Sequence, residues 1–219
     1  MAQQVKSRER VVEHGEVFTN EREVNAMLDM VAQECERIDS RFLEPACGNG
    51  NFIAEVLRRK LAVVRSRYRK SPSEYQRYAF VAVASIYGVE LLEDNVAECR
   101  ERLLGIAEAE AAGALGAARV EPAFTRAVSY VLSQNICCGD ALTMTRADGG
   151  PIVFAEWSMV SGDLVKRRDY RFDELLGGHE RQLSLFQQDW EYDAEADAFL
   201  PSAVADYAPC DWREVGRRG

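Results

Sequence analysis

Histidine is nearly absent, with two in 219 residues. Cysteine occurs six times, at Cys35, Cys47, Cys99, Cys137, Cys138 and Cys210, but never as C-x-x-C. Without imidazoles or a thiol pair at ligand spacing, a zinc centre is not expected, and a chain of this length does not need a disulfide framework. The adjacent Cys137 and Cys138 read as buried thiols close to a strand. No apolar run approaches the roughly 18 residues of a membrane helix. The first residues are charged (Lys6, Arg8, Glu9, Arg10) and contain no apolar signal core. These absences point to a cytoplasmic protein with no membrane partner. An excess of positive charge is missing too: 27 Lys and Arg face 36 Asp and Glu, for a net charge of −9. A protein that grips duplex DNA alone usually presents a basic face. The basic residues that exist are local: Arg58, Arg59, Lys60, Arg65, Arg67, Arg69 and Lys70 in one run, then Lys166, Arg167 and Arg168. The first run fits a solvated helix face or a phosphate-contacting edge.

A hydrophobic content of 47% is ordinary for a globular core, and the length fits one compact domain with a tail. Val24, Met27, Leu28, Val31, Cys35 and Ile38 recur at helical spacing, which predicts a helix over 21–38 after an extended arm. Strands are expected at 41–44, 85–90, 135–138 and 152–155. Helices are expected from Phe52 to the break at Ser71-Pro72-Ser73, from there toward Val83, and over 94–104 and 121–133. The Ala- and Glu-rich stretch 107–118 reads as a helix or a linker. Alternating strands and helices argue for a doubly wound α/β domain with a mainly parallel sheet. The expected division is an arm and helix at 1–40, the α/β domain at 41–186, and an acidic, loosely packed tail at 187–219.

The most informative stretch is Glu44-Pro45-Ala46-Cys47-Gly48-Asn49-Gly50, a strand end running through a glycine turn into a helix. Gly48 and Gly50 permit close backbone approach to a ligand, and the following helix points its first amides at an anion. Upstream stands Gly15-Glu16-Val17-Phe18-Thr19-Asn20. Downstream, Glu90 and Leu91 end the second strand, and Asp140, Ala141 and Leu142 follow the third. Ligands in such sheets lie at the carboxyl ends of the strands, where each of these segments falls. Singly, each also fits an ordinary turn with no ligand.

Taken in that order, the segments resemble the S-adenosylmethionine (SAM) half of the adenine-N6 DNA methyltransferases, over roughly residues 13–175. The resemblance implies a Rossmann-like class I SAM methyltransferase fold, truncated, with SAM as cofactor. It assigns the methionine carboxylate to the glycine loop and the ligand's amino end to Glu44. It gives the ribose hydroxyls to Glu90, the adenine face to Leu91, the adenine amine to Asp140, and the ring walls to Ala141 and Leu142. Phe18 and Thr19 match the family's Phe-Thr-Pro arm. Asn20 replaces the proline, which predicts a less rigid arm.

The family's catalytic tetrapeptide, of the Asn/Asp-Pro-Pro-Tyr/Phe type, does not occur. It accepts hydrogen bonds from the target amine and stacks on the flipped base. In its place stand only weak candidates: Glu156 and Trp157 in Pro151–Trp157, and His179 after the Arg171–Gly178 run. Trp157 reads more readily as a core or interface tryptophan, and His179 as a loop residue. The resemblance then implies that methyl transfer to DNA adenine needs a partner chain carrying the motif and the DNA-reading surface. A different reading is a catalytically inactive SAM-binding module, regulatory or restriction-modulating. A third is a methyltransferase for a small molecule or protein. Gln182-Leu183-Ser184-Leu185-Phe186 is similar to the pentapeptide with which bacterial replication proteins dock on the sliding clamp. Gln182, Leu183, Leu185 and Phe186 are its candidate contacts. An amphipathic end strand or helix that packs on the domain fits the same five residues.

Overall fold

The computed structural model describes residues 19–175, 190–193 and 198–217. Asn20 opens helix α1 (Glu21–Met30): its side-chain carbonyl accepts the Glu23 N–H at 3.0 Å, and Glu21 and Glu23 put negative charge in the first turn. The apolar spacing continues to Ile38, but α1 stops earlier. Val31 leaves helical φ/ψ and turns its N–H back to Leu28 O, and a single further turn, α2 (Ala32–Cys35), follows. Strand β1 (Phe42–Glu44) leads through the glycine loop into α3 (Asn51–Tyr68). Pro72 starts α4 (Pro72–Ala84), where its missing N–H costs nothing. Strand β2 (Ile86–Glu90) follows.

Helix α5 (Glu93–Leu115) is longer than the sequence pattern suggests. It absorbs the Ala-rich stretch because Val96, Cys99, Leu103, Ala107, Ala111 and Leu115 form one buried stripe. Gly113 lies within the helix with open space beside it, and Gly116, at φ +86°, ends it. Helix α6 (Pro122–Asn135) then passes directly into β3 (Ile136–Cys138).

The three strands pair in parallel, in the order β1-β2-β3. Both crossovers step the same way, so the right-handed rule puts α3–α6 on one face. Ile86 and Ile136 point into the core beneath those helices. Tyr87 and Val89 point to the other face, where Ile152, Phe154 and Phe172 cover them.

The expected fourth parallel strand is not part of this sheet. Residues 153–155 belong to β4 (Val153–Ser161), which turns at Gly162 and pairs antiparallel with β5 (Leu164–Arg171). After β6 (Trp190–Asp193) and β7 (Ala198–Pro201), a separate hairpin, short strands β8 (Ala205–Asp206) and β9 (Cys210–Asp211) add to β5. The fold is therefore mixed α/β with a partly parallel sheet. The sequence misleads here because β5 buries a polar face: Val165, Arg167 and Asp169 alternate inward.

Residues 210–215 of the expected loosely packed tail pack on the domain. Trp212 is 0% exposed and meets Phe80 at 6.0 Å and Phe124 at 6.5 Å between ring centroids. Arg213 beside it donates to Asp163, Asp211, Glu121 and Ser73. One aromatic anchor outweighs the polar composition around it, since a buried Trp removes about 150–250 Å² from water.

Part of the basic run on and after α3 is used inside the molecule, while Arg58, Arg65, Arg67, Arg69 and Lys70 are exposed. Lys60 is 0% exposed, and its ammonium donates to Ile38 O at 3.1 Å, to Ser40 O and to Ser85 Oγ at 2.6 Å. Arg59 pairs with Asp29 and Asn25, Arg58 with Glu55, and Arg65 with Glu110. Burial pushes the Lys60 ammonium down to about 8 from its ordinary 10.5. Between those values the unfolded chain binds the proton and the folded one releases it, so stability rises with pH across that window. The contribution is about 3 kcal/mol. In urea melts at pH 7.5 and pH 10.5, the wild type is expected to gain stability relative to Lys60→Met, a difference that isolates Lys60 from the buried thiols and phenols whose raised values act in the opposite sense. Equal pH slopes in the two proteins would refute the assignment.

Candidate functional site

The loop after β1 is built by packing as much as by sequence. Cys47 is buried, and its N–H bonds to Val89 O at 2.9 Å, which clamps the loop to β2. Its thiol lies over Gly88, where an added Cβ would fall 2.9 Å from Cys47 Sγ. Gly48 and Gly50 have φ of +52° and +88°, conformations that side chains resist. Gly50 also abuts α5: a Cβ there would fall 2.7 Å from Cys99 Sγ. The contacting Cys99 thiol, and then burial, hold the Cys47 thiol far above its ordinary value. It is a packing group, not a nucleophile.

Glu90, ending β2, reaches back to this loop. Its Oε2 accepts the Gly48 N–H at 2.9 Å, and its Oε1 accepts the Leu92 N–H at 3.0 Å and Asn95 Nδ2 at 3.3 Å. Three of roughly four lone-pair positions are thereby used by the chain itself. Asn95, fully buried, is a residue that the sequence reading misses. Its signal is positional: five residues after Glu90, in the first turn of α5.

Asp140 stands after β3. Its Oδ1 accepts the Leu142 N–H at 2.8 Å, and its backbone pairs with Thr145 in both directions. The Gly139 N–H bonds to Glu90 O at 3.0 Å, so the ends of β2 and β3 are tied together. Leu91 and Leu142 are 55% and 92% exposed, whereas Ala141 is half-buried. Burial raises the Glu44 carboxyl above its ordinary value, and the Ala46 N–H opposes the shift. Pro45 and Ala46 are exposed on the rim.

Thr19 comes to the same place. Asn51, the first residue of α3, donates from Nδ2 to Thr19 O at 3.4 Å, and its Oδ1 accepts from Arg102 of α5. Asn20 is the cap of α1, and the arm before Thr19, for which less rigidity is expected, lies outside the described residues. Phe18 lies outside the described residues, as do His179 and Gln182–Phe186. Thr19, the 44–50 loop, Glu90, Leu91 and Asp140–Leu142 thus share one edge of the sheet. Carboxylates there suit amines, hydroxyls and cations, and the exposed leucines suit a flat ring.

Of the candidates named for the absent tetrapeptide, the two that are described, Glu156 and Trp157, make contacts within the chain. Glu156 is ion-paired with Arg41. Trp157 packs edge-on against Phe80 and Tyr130, with the Arg167 guanidinium 5.5 Å from its ring. Its ring is partly buried and packed against the core. The second basic run is similarly engaged: Lys166 and Arg168 meet Asp206, and Arg167 grips Asp169.

Comparison of the chain with protein-family models, curated proteins and solved structures returned no match.

Proposed function

We propose that this chain binds SAM at the carboxyl ends of β1–β3, as the cofactor half of an adenine-N6 DNA methyltransferase whose catalytic motif and DNA-reading surface come from a partner chain. The observation that carries this reading is the convergence of the glycine loop, Glu90 and Asp140 at the ends of three adjacent parallel strands. In that arrangement the first amides of α3, beyond the internally bonded N–H groups of Cys47, Gly48 and Gly50, receive the methionine carboxylate, and Glu44 its ammonium. Glu90 has one lone-pair position left for a ribose hydroxyl, and Asp140 is placed for the adenine amine. The surrounding carboxylates also favour the sulfonium charge.

One observation favours a second reading. Glu156 and Trp157 are held in structural contacts, and the basic runs are mostly paired within the chain. A SAM-binding module without chemistry of its own, acting through a protein surface such as a sliding clamp, fits those facts.

Calorimetric titration with SAM tests both. Micromolar binding is expected for the wild type, with loss in Gly48→Arg and at least ten-fold weakening in Asp140→Ala, roughly the value of one charge-assisted hydrogen bond. A folded wild type that gives no heat with SAM would sink both readings. Methyl transfer to DNA appearing only when a partner is added would then decide for the first.

A further inference from the structure

We infer that Arg102 and Asn51 are positioning residues that hold Thr19 against the mouth of the glycine loop, and so set how long a ligand stays there. This rests on the SAM reading above. Helix α5 meets the loop exit with two side chains three residues apart, which share one helix face. Cys99 packs on Gly50, and Arg102 donates to Asn51 Oδ1. A guanidinium has only donors, so Asn51 must turn its oxygen toward Arg102. That leaves the amide nitrogen to face Thr19 O, the contact seen at 3.4 Å. The chain Arg102–Asn51–Thr19 thereby links α5, α3 and the residue before the cap of α1.

Helix stability does not account for this arrangement. Helix α3 has no acidic residue in its first turn and no side-chain cap, because its N-cap is the left-handed Gly50. A cation at a helix N-terminus opposes the helix dipole. Arg102 is placed where it disfavours α3, and its contact there is the one that orients Asn51. The clip also serves a sequence that lacks proline at position 20: Asn20 fixes the start of α1, and Asn51 fixes the residue before it.

Asn51→Asp tests the clip. Aspartate still accepts from Arg102 but presents an acceptor to Thr19 O, so only the outer link breaks. Arg102→Met breaks the inner one. Stopped-flow dissociation of SAM is expected to speed up about ten-fold in both variants, the loss of roughly one hydrogen bond. Dissociation of 5′-methylthioadenosine, which lacks the methionine end, is expected to stay within two-fold of wild type (about 0.4 kcal/mol). Amide exchange at 19–24 in the ligand-free protein is expected to accelerate in both variants; unchanged exchange overturns the inference, since faster SAM release alone also follows from the altered charge beside its carboxylate. Unchanged SAM dissociation overturns the inference while the SAM reading stands. Equal acceleration for both ligands also overturns it, since that marks a general loosening of the loop. A wild type that binds neither ligand removes the SAM reading, and with it this role.

Discussion

Arg167→Met is expected to lower the unfolding free energy by about 3–5 kcal/mol, the range for removing one partner of a buried pair. Arg167 is the hub of the C-terminal sheet. It holds Asp169 through both carboxylate oxygens at 2.6 and 2.8 Å, and donates to Tyr130 OH at 2.7 Å and to Gln134 Oε1 at 2.9 Å. Tyr207, Trp157 and Tyr130 surround the guanidinium at 4.7, 5.5 and 5.8 Å from its central carbon. Methionine fills much of the volume but leaves Asp169, 6% exposed, without its counter-charge. Urea denaturation with a paired variant makes the argument specific. Arg167→Met with Asp169→Leu is expected to recover a large part of the loss, because a buried ion pair replaced by apolar groups is often neutral. A double variant as unstable as the sum of the two singles would show that charge pairing is not the cause.

Gly50→Ala is expected to cost about 2–5 kcal/mol, from left-handed strain of about 1–2 kcal/mol and overpacking of about 1–3 kcal/mol. The two parts are separable. The overpacking arises against Cys99 Sγ, 2.7 Å from the new methyl group, whereas the strain belongs to a φ of +88°. In the Cys99→Ala background the cost of Gly50→Ala is expected to fall to the strain alone. Strict additivity of the two substitutions in a double-mutant cycle would mean that Cys99 yields freely and that packing plays no part.

The same residues explain what the sequence made legible. The strand–loop–helix unit at 42–68 can be read because apolar strand, paired glycines and helical stripe agree with one another. The second half of α5 resists reading because Ala107 and Ala111 contrast little with their neighbours, although both are buried. The β4–β5 hairpin is hidden by inverted polarity: its inward positions include Arg167 and Asp169, which only the three-dimensional network satisfies. Trp212 is a single apolar residue in a charged surround, and its burial depends on Phe80 and Phe124, far away in sequence. At the candidate site the motif residues were legible. The residues behind them, Asn95, Cys99 and Arg102, were not, because their roles follow from which face α5 turns toward the loop.

The junction of α6 and β3 carries a mechanical consequence. Asn135 closes the helix and Ile136 opens the strand with no residue between them. A joint of zero length transmits tilt without slack. Tyr130 and Gln134, near the end of that helix, are gripped by Arg167, and Arg126 of the same helix donates to Arg213 O. Arg167 of β5 and the Arg213 carbonyl therefore brace the helix that runs without a break into β3, the strand that ends just before Asp140.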